Sequence, residues 1–270
     1  MGFVERTPCG YALTPLSARY LVRGRETYIG DVSLQTRQEW DAWIHLTDVV
    51  RTGQSVRCVN EAPLAGPFFE PLVEHLFPLI YPLMKRLVQR LGVGTRHQGG
   101  RVVDLGAGTA PGAIAALECD PTAHGVAIDF PAVLARAQIH ARAHGVDERM
   151  EYWPITQDTI ALPTSQFNLA IASHVFRIVG PEVTRQLIQQ CYHALKPSGQ
   201  LVVVEMYKEE DRAGSPFPHV VSLNMLVNTR HGDALSSRQL CGWLQDAGFQ
   251  VDRWHDYGPH PVVVATRPQT

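Results

Sequence analysis

The sequence of 270 residues lacks the features that mark several classes of protein. Its 24 basic and 26 acidic residues are spread evenly and leave a formal net charge of −2, so no electrostatic footprint for nucleic acid or an anionic membrane is present. No uninterrupted apolar run approaches the roughly 20 residues of a membrane-spanning helix, and the N-terminus has no basic region leading into a hydrophobic one. We therefore expect neither nucleic acid nor a membrane as a partner.

Cysteine and histidine form no metal-binding or disulfide signature. The five cysteines are scattered without a CxxC pair, which favours neither a zinc ribbon nor a disulfide framework and fits a reduced, cytoplasmic setting. The histidines of "RHGD" (230–233) and "WHDYGPH" (254–260) do not have the ligand spacing of a standard metal site. We expect no metal ion.

The sequence does contain enough apolar residues, 45% of the total, for a sizeable core. Its pattern changes near "GVGTRHQGG" (92–100), which divides it into a mainly helical segment, residues 1–95, and a second domain, residues 96–270. In the first segment, residues 33–53 show the apolar spacing of a helix, and Gly53 is a plausible stop.

The apolar segment at residues 66–92 also predicts a helix, which Pro71, Pro78 and Pro82 should break or kink. Two interpretations are open for it. The segment either forms the wall of a pocket or only packs on the domain behind it.

Downstream, short β-branched runs alternate with amphipathic helices. This pattern predicts an α/β fold with a doubly wound, mostly parallel sheet that is covered on both faces. The predicted strands include "GRVVDLG", "AHGVAIDF", "FNLAIASHV", "GQLVVVEMY" and "PVVVATRP". Because ligands of such sheets bind beyond the carboxyl ends of the strands, we look for function there.

Two acidic residues and a glycine turn follow the first two of these strands. Asp104 precedes Gly106 and Gly108, whose backbone lets a ligand approach closely, and the next helix offers free N–H groups. Asp129 ends the second strand, where a carboxylate can accept both hydroxyls of a ribose. A dinucleotide fingerprint would need glycine at Pro111, and the acidic Asp104 suits a cationic ligand better than a pyrophosphate. Alternatively, both aspartates only cap the helices that follow them.

These motifs resemble those of class I S-adenosylmethionine-dependent methyltransferases. "DLGAG" (104–108) matches their first motif, "AID" (127–129) is similar to the second, and "LKPSGQLVVVE" (195–205) resembles the turn before their fifth strand, while Ala110 stands where a third glycine is usual. The resemblance implies a Rossmann-like fold with an antiparallel edge strand, S-adenosylmethionine as cofactor and S-adenosylhomocysteine as product. The cofactor-binding residues that it implies are Asp104, Gly106, Ala107, Gly108, Asp129, Phe130, Thr156 and Ser173.

In this set Asp104 and the glycine turn face the methionine part of the cofactor, and Asp129 faces its ribose. The family's third motif is not matched at Thr156, so Trp153 and Asp158 are further candidates for contact with adenine. In another interpretation Asp158 is a solvated loop residue.

Three further stretches are similar to plant-type and bacterial small-molecule O-methyltransferases. Residues 222–249 resemble their helix, loop and helix ending in "AGF", residues 40–54 the helix and "TG" turn before the catalytic domain, and residues 10–24 the end of a winged-helix domain. The resemblance implies that residues 96–270 are the catalytic domain and that the protein is a homodimer. Because relatives carry more helices ahead of this point, we expect either that the dimerising segment is truncated in this chain or that the sequence is only part of the gene product.

The family's catalytic position departs from the usual pattern. Relatives place a histidine base just past the fourth strand, and "SHVFRIVG" (173–180) puts Arg177 at that position. Arginine is always protonated and cannot accept a proton, whereas histidine can. His174 is an alternative base, although on an extended strand it would point to the opposite face from Arg177. His231 and Tyr257 are further candidates.

Arg177 leaves several routes open for the chemistry. It can hold an acceptor that is already ionised, such as an acidic phenol, a carboxylate or an enolate. The methyl group can also go to carbon or nitrogen, where proton loss follows transfer, or another residue can act as the base. In a further interpretation, Arg177 forms a salt bridge with Glu182 or Glu205 and contacts no substrate.

The sequence therefore predicts a methyltransferase acting on a small aromatic or polyketide-like molecule of secondary metabolism. By resemblance, Asn224, Met225 and Asn228 on "LNMLVN" (223–228) are candidate substrate contacts together with Arg177. One alternative is an S-adenosylmethionine-binding enzyme that catalyses decarboxylation, hydroxylation or rearrangement without methylation. Another is a non-catalytic, truncated paralogue that regulates a partner chain.

Overall fold

A computed structural model describes residues 2–25, 27–61, 63–95, 98–155, 161–208, 216–254 and 261–269. Its strands, in chain order, are β1 (Val4–Thr7), β2 (Gly10–Leu13), β3 (Arg101–Leu105), β4 (His124–Asp129), β5 (Met150–Pro154), β6 (Phe167–Ser173), β7 (Leu195–Val204), β8 (Gln250–Trp254) and β9 (Val262–Thr266). Its α-helices are α1 (Pro15–Tyr20), α2 (Val32–Trp43), α3 (Leu46–Thr52), α4 (Ala65–Leu91), α5 (Pro111–Cys119), α6 (Pro131–Ala143), α7 (Phe176–Ala194), α8 (Phe217–Asn228) and α9 (Ser237–Asp246).

Seven of the described strands form one sheet in the order β5-β4-β3-β6-β7-β9-β8. Strand β3 pairs in parallel with β4 on one side and with β6 on the other. The chain thus winds outward from β3 through β4 and β5, and then returns to β6 to build the other half. The carboxyl ends of β3 and β6 mark the switch point of the winding, beyond which sheets of this kind bind their ligands.

The predicted α/β fold with a doubly wound, mostly parallel sheet is confirmed. The antiparallel strand is β9, which pairs antiparallel with both β7 and β8. It therefore lies one position inside the sheet, and the edge is formed by β8.

Both faces of the sheet are covered, and each cover has its own apolar core. Helices α4, α5 and α6 pack on one face, and α7 and α9 on the other. Neighbouring residues of β3 alternate between them: Val102 belongs to the first core and Val103 to the second. This burial on two sides explains the nearly continuous apolar runs of the central strands.

The N-terminal segment is mainly helical, as predicted. It begins with the β1–β2 hairpin and α1, in the region that resembles the end of a winged-helix domain. The single helix predicted at residues 33–53 is divided into α2 and α3. Gly53 follows α3 in the left-handed conformation, with φ 69°, and confirms the predicted stop.

Helix α4 is continuous over 27 residues although Pro71, Pro78 and Pro82 lie inside it. A break at these prolines, one of the two predicted outcomes, is therefore wrong, and a kink stays a prediction. Each proline removes one backbone hydrogen bond, but the helix packs Leu83, Leu87 and other apolar side chains against α5 and α6, and this burial outweighs the loss. Within the described residues, we find no helix with both the length and the apolar character needed to cross a membrane.

Candidate active site

The turn after β3 is tight and depends on its glycines. Gly106 and Gly108 have positive φ angles of 55° and 58°, a region that glycine enters at little cost. A Cβ atom on Gly106 would lie 2.5 Å from Val175 Cγ2, so a larger residue would push the turn away from the end of β6. Ala107 donates its N–H to Ile128 O at 3.0 Å, which ties the turn to β4.

Ala110 occupies the position where relatives usually have a third glycine, and its backbone shows why. It is left-handed, with φ 56° and ψ 41°, at the N-cap of α5, and non-glycine residues seldom adopt this conformation. Pro111 follows at the first helical position, where its missing N–H has no partner to lose.

Asp104 is buried near the carboxyl end of β3. Its Oδ2 accepts the N–H of Ala113 at 3.0 Å, so it does cap the first turn of α5. Burial raises the pKa of Asp104 to about 7, and nearby Asp129 adds to the rise while the N–H groups of Ala113 and Gly112 oppose it. A carboxyl group in this position binds its proton unusually tightly.

Asp129 ends β4 and accepts two backbone N–H groups, from Gly108 at 2.8 Å and from Phe130 at 2.7 Å. Burial nevertheless raises the pKa of Asp129 to about 6. In the described part of the chain, no basic side chain lowers the pKa of either aspartate. The two carboxyl groups thus form an acidic pair without a cation, and a positively charged ligand fits such a pair.

Strand β6 ends at Ser173, and the predicted extension of the strand beyond it is wrong. His174 is left-handed, with φ 60°, and α7 begins at Phe176. His174 and Arg177 consequently do not point to opposite faces of a strand, because both side chains approach the carboxylate of Glu205. A left-handed residue other than glycine leaves no mark in the sequence, which is why the prediction failed.

Glu205 follows β7 directly and is 1% exposed. Arg177 Nη1 donates to its Oε2 at 2.8 Å, and the backbone N–H of Arg177 donates to its Oε1 at 3.3 Å. His174 Nδ1 lies 3.7 Å from Glu205 Oε2. Of the two glutamates considered as partners of Arg177, Glu205 forms the salt bridge, so this part of the salt-bridge interpretation is confirmed.

The surroundings fix the charge of each group in this cluster. Burial alone would raise the pKa of Glu205, but Arg177 and His174 lower it to about 2. Burial and the charge of Arg177 lower the pKa of His174, while Glu205 opposes the change. At neutral pH the cluster therefore contains a carboxylate, a guanidinium and a neutral imidazole.

Arg177 lies on a first turn of α7 that is separated from the rest of the helix. Gly180, with φ 81° and ψ 173°, interrupts the helix just before Pro181. Thr184 Oγ1 donates to Gly180 O at 2.7 Å, and Asp233 N donates to Arg177 O at 2.8 Å. The turn is held from two sides, which fixes the base of the arginine side chain.

The loop after α8 completes this support. Asp233 Oδ2 accepts from Lys208 Nζ at 2.5 Å, and its Oδ1 accepts from Ser222 Oγ at 2.6 Å. His231, a candidate base, packs its backbone carbonyl against Gly180, where an added Cβ atom would lie 2.5 Å from His231 O. Sequence reasoning missed Asp233, since nothing in "RHGD" indicates that its carboxylate meets α8.

Three of the four predicted substrate contacts lie on α8. Asn224 Oδ1 accepts from Asn228 Nδ2 at 2.8 Å and from Trp43 Nε1 at 2.9 Å, which confirms that the two asparagines share a face. Asn228 Oδ1 accepts from Arg57 Nε at 2.7 Å, and Met225 is buried. These contacts fasten α8 to α2 and to the loop before α4. A contact of the three residues with substrate stays a prediction.

The remaining candidates are the residues considered for adenine, the base Tyr257 and a metal site. Thr156, Asp158 and Tyr257 fall outside the described residues. Trp153, considered for adenine, donates its indole N–H to Glu151 at 3.1 Å. In the ranges that the structure describes, no group of three or more metal-ligating side chains is placed to hold an ion.

Comparison with known proteins adds the following. Residues 74–253 match the family described as a methyltransferase domain. The 3-hydroxy-5-methyl-1-naphthoate 3-O-methyltransferase of Streptomyces sahachiroi is 26% identical, over 99% of this chain and 78% of its own. The acetylserotonin O-methyltransferase of Bos taurus is 29% identical, over 89% of this chain and 71% of its own. Human N-acetylserotonin methyltransferase in complex with SAM superposes with a TM-score of 0.79 at 22% identity, covering 98% of this chain and 80% of its own.

Proposed function

Because the chain belongs to the methyltransferase-domain family, we propose that it transfers a methyl group from S-adenosylmethionine to a small acceptor molecule whose attacking atom needs no protein base. The salt bridge between Arg177 and Glu205, at the ends of β6 and β7, carries this proposal. An arginine held against a carboxylate stays protonated and cannot accept a proton. The O-methyltransferases among the relatives support the reaction class.

The acidic pair supports the choice of cofactor. S-adenosylmethionine supplies, when bound, a methyl group on a positively charged sulfur, and it leaves as S-adenosylhomocysteine. Asp104 and the turn at 106–108 would hold its methionine part, and Asp129 its ribose, with Phe130 beside it. Ser173 would also contact the cofactor. Its hydroxyl is buried and has no hydrogen-bond partner among the described residues, and a bound ligand would supply one.

Arg177 orients the acceptor. A guanidinium has five N–H donors, and the described side-chain contact of Arg177 uses one of them for Glu205. The others can donate to an anionic oxygen. Because Glu205 offsets the charge of Arg177, the acceptor is held more by directed hydrogen bonds than by net charge. Alignment of the acceptor then lowers the barrier without a base.

An acidic aromatic acceptor fits this arrangement. The names of two relatives specify a naphthoate and acetylserotonin as their substrates, and both are aromatic. An acidic phenol, a carboxylate or an enolate arrives ionised near neutral pH, and a carbon or nitrogen nucleophile loses its proton after transfer. The alternative is that His174 acts as a base, because its lowered pKa keeps the imidazole neutral.

Calorimetric titration with S-adenosylmethionine, followed by a panel of acceptors, tests the proposal. We expect S-adenosylhomocysteine to form with acidic phenols or carboxylates and not with neutral phenols of the same shape. Turnover of neutral phenols would favour His174 as the base and contradict the proposal. Conversion of an acceptor without S-adenosylhomocysteine would instead indicate chemistry other than methylation.

The variant Arg177→His separates the two roles of this position. We expect it to gain activity on neutral phenols and to lose affinity for anionic acceptors, because it exchanges fixed donors for a titratable base. Arg185→His is the matched control, since Arg185 lies further along α7 over the ring of Trp243. If both variants behave alike on the panel, the assignment of Arg177 fails.

The quaternary and domain organisation also belongs to the proposal. Apolar side chains stay exposed on the N-terminal segment, among them Tyr11, Leu16, Trp40 and Ile44. They support a homodimer formed through this segment, which sedimentation at several protein concentrations would test. A division at residues 95 and 96 and a cytoplasmic location remain predictions.

A further inference from the structure

Helix α4 lies along one side of the glycine turn and of α6. Gly66, Phe69, Val73 and Phe77 recur at spacings of three and four residues and so share one helical face. A Cβ atom on Gly108 would lie 3.2 Å from Val73 Cγ1, which places the N-terminal part of this face beside the turn, whereas Phe77 packs on α6. A segment outside the Rossmann-like domain thus forms part of the wall of the candidate cofactor site.

Two side-chain contacts set the rotation of α4 against α6, an arginine–glutamate ion pair and a histidine–glutamate hydrogen bond. Arg136 Nη2 lies 2.9 Å from Glu70 Oε1, and His140 Nε2 lies 3.0 Å from Glu74 Oε2. These groups are partly exposed, so each pair adds little stability. They do, however, fix which residues of α4 face the carboxyl end of β4.

Phe69 of α4 pairs its ring with that of Phe130, the residue directly after β4. Its ring is parallel to that of Phe130, with an interplanar angle of 4° and 6.4 Å between the centroids. Phe130 in turn follows Asp129 and donates its N–H to that carboxylate. A distance of 6.4 Å lies near the upper end of the range for direct aromatic pairs. Both residues are half-buried, so part of each side chain is accessible.

We infer that Phe69 is a cofactor-contact residue that presents its ring, together with Phe130, to the adenine of S-adenosylmethionine. This inference depends on the proposed function, because Asp129 must hold the adjoining ribose. Bases bind favourably against aromatic faces. Phe69 also precedes residue 74, where the family match begins, so the N-terminal segment contributes to cofactor affinity from outside the matched domain.

Calorimetry on the full chain with S-adenosylhomocysteine and with adenosine tests the inference without any acceptor. We expect Phe69→Ala to weaken both ligands on the order of 10-fold, the effect of removing one ring from a stacked base. Phe69→Tyr keeps the flat ring and should bind nearly as the wild type does. Phe69→Leu keeps apolar bulk but no ring, and should weaken both ligands.

Phe77→Ala is the matched control. Phe77 lies two turns further along the same face and packs against His140 of α6, with 4.0 Å between the ring centroids. The variant therefore removes the same side chain from the same helix contact at a distance from the turn, and should leave both affinities unchanged. Equal losses in Phe69→Ala and Phe77→Ala, or unchanged binding in Phe69→Ala, would overturn the inference.

The outcomes also separate this inference from the proposed function. If the wild type binds neither S-adenosylhomocysteine nor adenosine, the proposed function itself fails. If the wild type binds both and Phe69→Leu binds as tightly as Phe69→Tyr, only the role of Phe69 fails. Asp104→Asn gives a further check, since it should weaken S-adenosylhomocysteine and leave adenosine, which lacks the amino-acid part, unaffected.

Discussion

At the scale of the residue, Asp104 buries a carboxyl group beside a second one, that of Asp129. Its pKa of about 7 lies above the ordinary 3.8, so the folded state binds the proton more tightly than the unfolded chain does. The stability from this proton is fully present below about pH 4 and is lost as the pH rises through 7. The difference of about three pH units corresponds to roughly 4 kcal/mol.

We expect Asp104→Asn to be more stable than the wild type at pH 8 and of similar stability at pH 4. The gain in the free energy of unfolding at pH 8 should be a few kcal/mol, because the asparagine forms no buried charge. Each kcal/mol should raise the unfolding midpoint by about 2–4 °C. Differential scanning calorimetry at the two pH values measures it, with Asp246→Asn at an exposed site of α9 as control. The argument would be contradicted if the variant's midpoint did not exceed that of the wild type at pH 8, or exceeded it more at pH 4 than at pH 8.

Only some residues of the candidate site could be predicted from the sequence. Asp104, Asp129 and Arg177 could be placed at strand ends, because strand ends are visible as the limits of apolar runs. The role of His174 could not be placed, because its left-handed backbone turns the side chain towards Glu205. Asp233 could not be found either, since its contact with Ser222 joins segments that only the folded chain brings together.

At the scale of the element, α4 tolerates its prolines at a cost that a substitution can recover. Pro82 is exposed and leaves the carbonyl of Pro78 without its helical donor. We expect Pro82→Ala to raise the free energy of unfolding by about 1–3 kcal/mol, reduced somewhat by the greater freedom of the unfolded chain. Urea denaturation measures the change.

Arg86→Ala is the control for this prediction. Arg86 is exposed one turn further along α4, and its replacement changes no backbone hydrogen bond. If Pro82→Ala is no more stable than Arg86→Ala, the prolines do not limit the stability of α4.

The types of most elements could be predicted, whereas their continuity could not. Apolar spacing identified α4, but local rules for proline predicted a break that packing against α5 and α6 prevents. The opposite happened in α7, where Gly180 and Pro181 do interrupt the helix. Which of two proline-containing helices stays continuous depends on contacts that lie far away in the sequence.

At the scale of the whole molecule, the first apolar core includes residues from both sides of the predicted division at residue 95. Leu87 of α4 is 1% exposed and belongs to the same cluster as Ile114 of α5. We expect Leu87→Ala to lower the free energy of unfolding by about 2–5 kcal/mol. Far-ultraviolet circular dichroism and tryptophan fluorescence should report one shared transition.

Gln89→Ala, at an exposed position of α4, is the control and should leave the transition in place. Two separate transitions in Leu87→Ala would show that the N-terminal segment unfolds by itself. The mostly parallel arrangement could be anticipated from the alternation of strands and helices, whereas the position of β9 inside the sheet could not. Packing of residues 66–92 on the domain behind them is one of the two interpretations of that segment, and the shared core of α4 and α5 agrees with it.

The position of β9 has a consequence for how the chain folds during synthesis. Strand β9 is the last in the sequence, yet it lies between β7 and β8 and pairs with both. Until residues 262–266 have left the ribosome, the free edge of β7 stays uncovered and β8 has no partner in the sheet. Unpaired strand edges promote association between chains. We therefore expect nascent chains to associate most readily in the interval between the synthesis of β7 and that of β9.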